Sequence, residues 1–174
     1  MTNTRDKLNE AKHFLEEMKK VSSDIDKFRY ELTAFLAASR SITQIMQEEF
    51  SEKSDFAVWY AQKQSEMKNS GILKYLHRQR TLTYHKRPVL PSYPIGVTGQ
   101  SVDGADISVI LMGTGSTLDL SRSFVTLPMI QPGATVSYYF DDISSKDKDV
   151  ISICQEAVNT LEIIVIECET KFCS

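Results

Sequence analysis

From Thr4 to Lys20 the apolar positions Leu8, Ala11, Phe14, Leu15 and Met18 recur every three or four residues, with Glu and Lys between them. That spacing puts the apolar side chains on one helical face, and it predicts a first helix over about 4–20. Ser22 or Ser23 can cap a second helix, with Asp24 and Asp26 in a first turn where negative charge is favoured. Its stripe of Ile25, Phe28, Leu32, Phe35, Leu36, Ser39, Ile42, Ile45 and Met46 continues to Phe50, over about 22–50. At 1.5 Å per residue this is a rod of roughly 40 Å, so several helices must pack along it. A third helix over about 54–69 opens at Ser54 and Asp55, carries Phe56, Trp59, Tyr60 and Met67, and ends at Asn69-Ser70-Gly71. A fourth over about 71–85 turns Ile72, Leu73, Leu76 and Gln79 inward, and Pro88, Pro91 and Pro94 forbid its continuation.

Between Ile95 and Phe140 β-branched residues and turn signals replace the helical spacing. Asp103-Gly104 is a hairpin signal, because both residues tolerate positive φ. Gly113-Thr114-Gly115 and Gln131-Pro132-Gly133 mark two further reversals, which together predict four short antiparallel strands. Val150, Cys154, Ala157, Val158, Leu161, Ile164, Val165, Cys168 and Phe172 then mark a last helix over about 148–172. The run from Leu161 to Ile166 is β-branched enough to read as a strand, but three-four spacing persists on both sides of it. The expected fold is therefore α+β, mainly α. An antiparallel helical bundle over 1–87 and 146–174 forms one domain spanning 1–174, with a small antiparallel β-sheet inserted at about 95–140.

Composition narrows the reading. At 41% hydrophobic and 25% charged, the chain is too apolar to be disordered. A net charge of -3 excludes wholesale coating of a nucleic acid, so contact with RNA would have to be local. Cys154, Cys168 and Cys173 are odd in number and lack paired zinc spacing, which fits a reducing compartment. The first residues run straight into a charged helix and no run approaches membrane-spanning length, so a cytoplasmic protein without membrane contact is expected. No metal or cofactor is expected. Asp141, Asp142, Asp147 and Asp149 match no cation loop and read as charge serving a helix N-terminus. Gly113-Thr114-Gly115-Ser116 lacks the lysine and following helix of a phosphate loop and reads as a turn.

The segment from Leu73 to Arg87 is different. It holds His77 and His85, two of the three histidines, and a quarter of the basic residues, with no acid among them. A positive field beside imidazoles that titrate near neutrality suits a phosphate-bearing partner. Lys74, Arg78, Lys86 and Arg87 are the candidate phosphate-binding residues. Arg80 precedes His85 with four residues between, and Arg78 with six. This resembles the Arg-x(4–6)-His motif of the HEPN superfamily, small helical bundles that often pair into dimers and include metal-independent RNA-cleaving enzymes. The resemblance covers the first four helices and the last, and leaves out the β region. It implies that Arg80 holds the scissile phosphate while His85 moves the proton of the attacking 2′-hydroxyl, a division suited to a guanidinium fork and a neutral imidazole. On a continuous helix Arg80 and His85 diverge by about 140°, whereas Arg78 and His85 share a face, so Arg78 stays an alternative.

Two functions from different classes follow. The first is a non-catalytic binding or assembly protein, a homodimer through its long helices that uses the β module to engage a protein partner. The alternative is a metal-independent endoribonuclease of HEPN type, toxin-like, acting on RNA through Arg80 and His85. Under the first reading the basic segment is a solvated face and His77, beside Leu76, merely donates a hydrogen bond. His13 is expected to face solvent, and Phe56, Trp59 and Tyr60 to pack in the core instead of stacking on bases.

Overall fold

The computed structural model describes residues 1–85, 92–100, 106–114, 137–138 and 148–173, with side chains beyond Thr81 described only at 137–138 and 148–173. Along the chain come α1 (Asn3–Lys20), α2 (Ile25–Phe50), α3 (Phe56–Asn69), α4 (Gly71–His85), β1 (Ser92–Gln100), β2 (Asp106–Thr114) and α5 (Val150–Phe172).

Local chemistry sets the helix ends. The Thr2 hydroxyl accepts the Arg5 N–H at the start of α1. Asp24, not Ser22 or Ser23, caps α2 by accepting the Lys27 N–H at 3.1 Å. A carboxylate there answers the positive end of the helix dipole as well as an orphan N–H. At α3 the backbone of Asp55 takes φ 64°, a left-handed conformation that Asp tolerates, and the helix starts one residue later. Asp149 caps α5 by accepting the Ser152 N–H at 2.9 Å.

α1 runs antiparallel to both α2 and α5. Arg5 pairs with Glu169, Lys12 with Glu162 at 2.6 Å, and Lys19 reaches Gln155 at 3.3 Å, a reversed order along the two helices. Between the long helices Leu8, Leu15, Phe28, Leu32, Phe35, Ile42, Met46 and Val165 are fully buried. The stripe of α2 from Phe28 to Phe50 is thus covered within one chain, and it leaves no strip that requires a second copy. Phe56, Trp59 and Tyr60 join Phe50 and Phe172 in an aromatic cluster at one end, with Phe56 stacked on Tyr60 at 5.4 Å. The β-branched run from Leu161 to Ile166 is helical, because Leu161, Ile164 and Val165 face that core. α4 packs across α2, α3 and α5.

The α+β expectation is corrected: the chain is a helical protein. In place of a four-stranded sheet at 95–140, the described residues hold one two-stranded hairpin, β1 antiparallel to β2, in register from Ser92↔Thr114 to Gln100↔Asp106. The pairing is symmetric about residue 103, the position of the Asp103-Gly104 signal, and that turn lies outside the described residues. Gly113 and Thr114 are the last residues of β2, opposite Tyr93 and Ser92, and the rest of the reversal expected at Gly113-Thr114-Gly115 lies outside the described residues. The strand expected around Ala134–Phe140 falls outside the described residues apart from Ser137 and Tyr138, which are not in a strand. Physically, the helical stripes close on one another, and two strands make a ribbon that cannot serve as a core layer. Tyr138 alone from that region enters the described core. Its ring lies 4.0 Å from that of Phe28, and its carbonyl accepts the Val150 N–H at 2.8 Å. No helix among the described residues is long and apolar enough to cross a membrane.

Candidate functional site

α2, α3 and α4 line a half-open cavity of about 510 Å³. Each helix contributes one stripe at three-four spacing. From α2 come Leu36, Ser39, Arg40, Thr43 and Gln47; from α3, Tyr60, Gln64, Met67 and Lys68; from α4, Leu73, Lys74, Leu76, His77 and Arg80. Leu161 of α5 closes the floor.

Thr43 organises the wall. Its carbonyl accepts the Tyr60 hydroxyl at 3.2 Å and the Gln47 amide at 3.1 Å, and its hydroxyl accepts Arg40 Nη1 at 2.8 Å. Burial pushes the Tyr60 phenol above its ordinary range, against the pull of its bonds to Thr43 and Gln64 and of the nearby Arg40 charge. Tyr60 is therefore a neutral structural group. Ser39 Oγ is buried and has no hydrogen-bond partner among the described residues. Buried hydroxyls are usually paired, which marks this one as a position with unmet capacity.

The charge distribution is one-sided. Arg40, Lys68, Lys74 and Arg80 line the cavity together with His77, and among the described residues no Asp or Glu does. Most cations elsewhere have a carboxylate: Lys20 with Glu17, Lys27 with Asp24, Arg29 with Asp26, Lys63 with Glu66 and Glu167, and Lys148 with Glu156. Arg40, Lys68 and Lys74 form no such pair among the described residues. Lys68, Lys74 and His77 are exposed and Arg40 and Arg80 half-buried, so the cations set up a solvent-accessible positive field that favours an anion. Guanidinium groups add a planar fork of donors matched to carboxylate and phosphate oxygens.

The structure separates the residues singled out in the sequence. Lys74 and Arg80 line the cavity. Arg78 is exposed and is not among the lining residues, since two positions along a helix turn it about 200° from Arg80. His85 is the last residue of α4, and its side chain is outside the description; Lys86 and Arg87 lie outside the described residues. His13 is exposed beside Glu17. Three members were missed: His77, Arg40 and Lys68. A signal existed for two of them. Ser39, Thr43 and Gln47 break the apolar face of α2 with polar groups at helical spacing around Arg40, and Lys68 follows Tyr60 and Gln64 at four-residue steps.

Residues 1–85 are similar to the family described as bacteriophage lambda protein ea47. The match runs from α1 to the last residue of α4 and so includes every lining residue except Leu161. No curated protein and no solved structure matches the chain.

Proposed function

We propose that this is a non-catalytic binding protein that takes an anionic ligand in the cavity between α2, α3 and α4. The single observation that carries the reading is that Arg40, Lys68 and Lys74 line one cavity without a carboxylate among the described residues, on a protein whose other described cations are mostly paired. A buried phenol and an imidazole in that setting hold and orient a ligand. The described cysteines, Cys154, Cys168 and Cys173, are free thiols, which fits a reducing, cytoplasmic setting. Self-association belongs to the same reading through Ile163 and Ile166, exposed on α5, and a protein partner can add to an edge of the β1–β2 ribbon. The test is thermal unfolding in sodium sulfate or pyrophosphate against sodium chloride at matched ionic strength. The multivalent anions should raise Tm of the wild-type chain by mass action, and a Lys68→Gln/Lys74→Gln variant should lose that increment. Equal behaviour of the two proteins in every salt sinks the reading.

One observation favours a second reading, the HEPN-type endoribonuclease acting through Arg80 and His85: Arg80 lines the cavity on the helix that ends at His85. RNA cleavage that survives excess chelator, leaves a cyclic phosphate and disappears in Arg80→Ala would establish it in place of the first.

A further inference from the structure

The cavity is not only cationic. Leu36, Met67, Leu73, Leu76 and Leu161 form an aliphatic wall facing the same space as Arg40, Lys68, Lys74 and Arg80. Its volume of about 510 Å³ lies within the range of small-molecule pockets, which combine a mostly apolar lining with a few convergent polar groups. A simple inorganic anion would use the cations and leave the aliphatic wall wet. A nucleic-acid strand would call for several exposed aromatic faces, whereas the lining tyrosine, Tyr60, is stacked on Phe56 and bonded through its hydroxyl to Thr43, which leaves His77 as the exposed ring among the described lining residues. Leucine and methionine side chains instead suit a flexible aliphatic body, methionine in particular adapting to irregular shapes.

We propose that the ligand is an amphipathic organic acid: an anionic head held by the cations of α2, α3 and α4, and an aliphatic body lying on the leucine and methionine wall. This rests on the binding-protein reading and names its ligand class. Ser39 is the second, independent mark. It lines the cavity at 8% exposure, and its hydroxyl lacks a partner among the described residues, so a head group with acceptor oxygens would complete it. Arg40 is already oriented for the same task by its bond to Thr43 Oγ1. A charged head among cationic donors and a desolvated tail are separable requirements. Each can be removed by substitution.

Isothermal titration of the full-length protein with sodium octanoate tests the assignment. Octanoate and octyl phosphate share the chemistry and distinguish the two kinds of head; 1-octanol lacks the charge, and acetate lacks the body. Saturable binding of octanoate or octyl phosphate, at least about tenfold tighter than either octanol or acetate, is the expected result. Lys68→Gln/Lys74→Gln should weaken it about tenfold or more by loss of the head contacts, Met67→Gln should weaken octanoate while leaving sulfate protection intact, and Ser39→Ala should weaken binding with the helical circular dichroism unchanged. Lys20→Gln, a surface cation paired with Glu17, is the control and should bind as the wild type does. Sulfate protection with no octanoate or octyl phosphate binding would overturn the ligand class and leave the binding-protein reading standing. Tighter binding of adenosine monophosphate than of octyl phosphate would likewise overturn the aliphatic body. Loss of both sulfate protection and octanoate binding would remove the two together.

Discussion

Glu49, near the end of α2, holds the start of α1. Its Oε2 accepts the Thr4 N–H at 2.8 Å and the Thr4 hydroxyl at 2.7 Å, and its Oε1 accepts the Asn3 N–H at 2.8 Å. A carboxylate at a helix N-terminus satisfies orphan N–H groups and meets the positive end of the dipole. Glu49→Ala removes all three bonds. The Asn3 bond is exposed, so water replaces it at little cost. The Thr4 side chain is fully buried, and its bonds count. Hydrogen bonds to a charged group are worth about 1.5–3 kcal/mol each, the two share one oxygen, and the dipole adds about 0.3–1 kcal/mol, so roughly 2–3 kcal/mol should be lost. For a chain of this length that lowers Tm by about 5–10 °C. Urea unfolding followed by circular dichroism should show an earlier midpoint with an unchanged slope.

The sign of the pH dependence follows. Burial pushes the Glu49 carboxyl up, and the bonds from Thr4 and Asn3 outweigh it, leaving the group below its ordinary range. A depressed carboxyl contributes stability that is fully present above its unfolded value, about 4.3, and is lost as pH falls through the lower folded value. The gap between the wild type and Glu49→Ala should therefore narrow in acid. A variant within about 0.5 kcal/mol of wild type at neutral pH, or a gap that stays constant into acid, refutes the reasoning.

Three further outcomes are expected. Ser39→Ala should be neutral or stabilising by up to about 1 kcal/mol in urea unfolding of the ligand-free protein, because it removes a buried hydroxyl without a described partner; a clear loss would mean the hydroxyl is satisfied. Tyr138→Ala should cost about 3 kcal/mol in the same assay, since it strips the ring from Phe28 and opens a cavity at the start of α5. With a thiol reagent the folded chain should react at the exposed Cys173, while Cys154 and Cys168, the latter pushed up to about 12 by burial, should react only after denaturant is added.

Much of the helical architecture was legible because burial imposes a period. Leu8, Ala11, Leu15 and Met18 can share a face only in a helix, and the same holds from Phe28 to Phe50 and from Val150 to Phe172. Capping was legible in kind and not in position, since Ser22, Ser23 and Asp24 are all good caps and only the chain's path selects among them. The β content misled for a related reason. Turn and β-branched signals report what a segment tolerates locally, whereas a core layer requires neighbours to cover it, and here the helices supply their own.

The basic residues show the divide most clearly. That Lys74, His77, Arg78 and Arg80 lie close together on one positively charged helix is contained in the sequence, because a helical period and a run without acids need no tertiary information. Which of them meet was decided by packing alone. Setting α4 across α2 and α3 turned Lys74, His77 and Arg80 toward Arg40 and Lys68, residues up to forty positions earlier, and turned Arg78 away. A cavity is made by surfaces that three helices present to one another, and the crossing of those helices depends on side-chain volumes summed over the whole core, which no local pattern along the chain encodes.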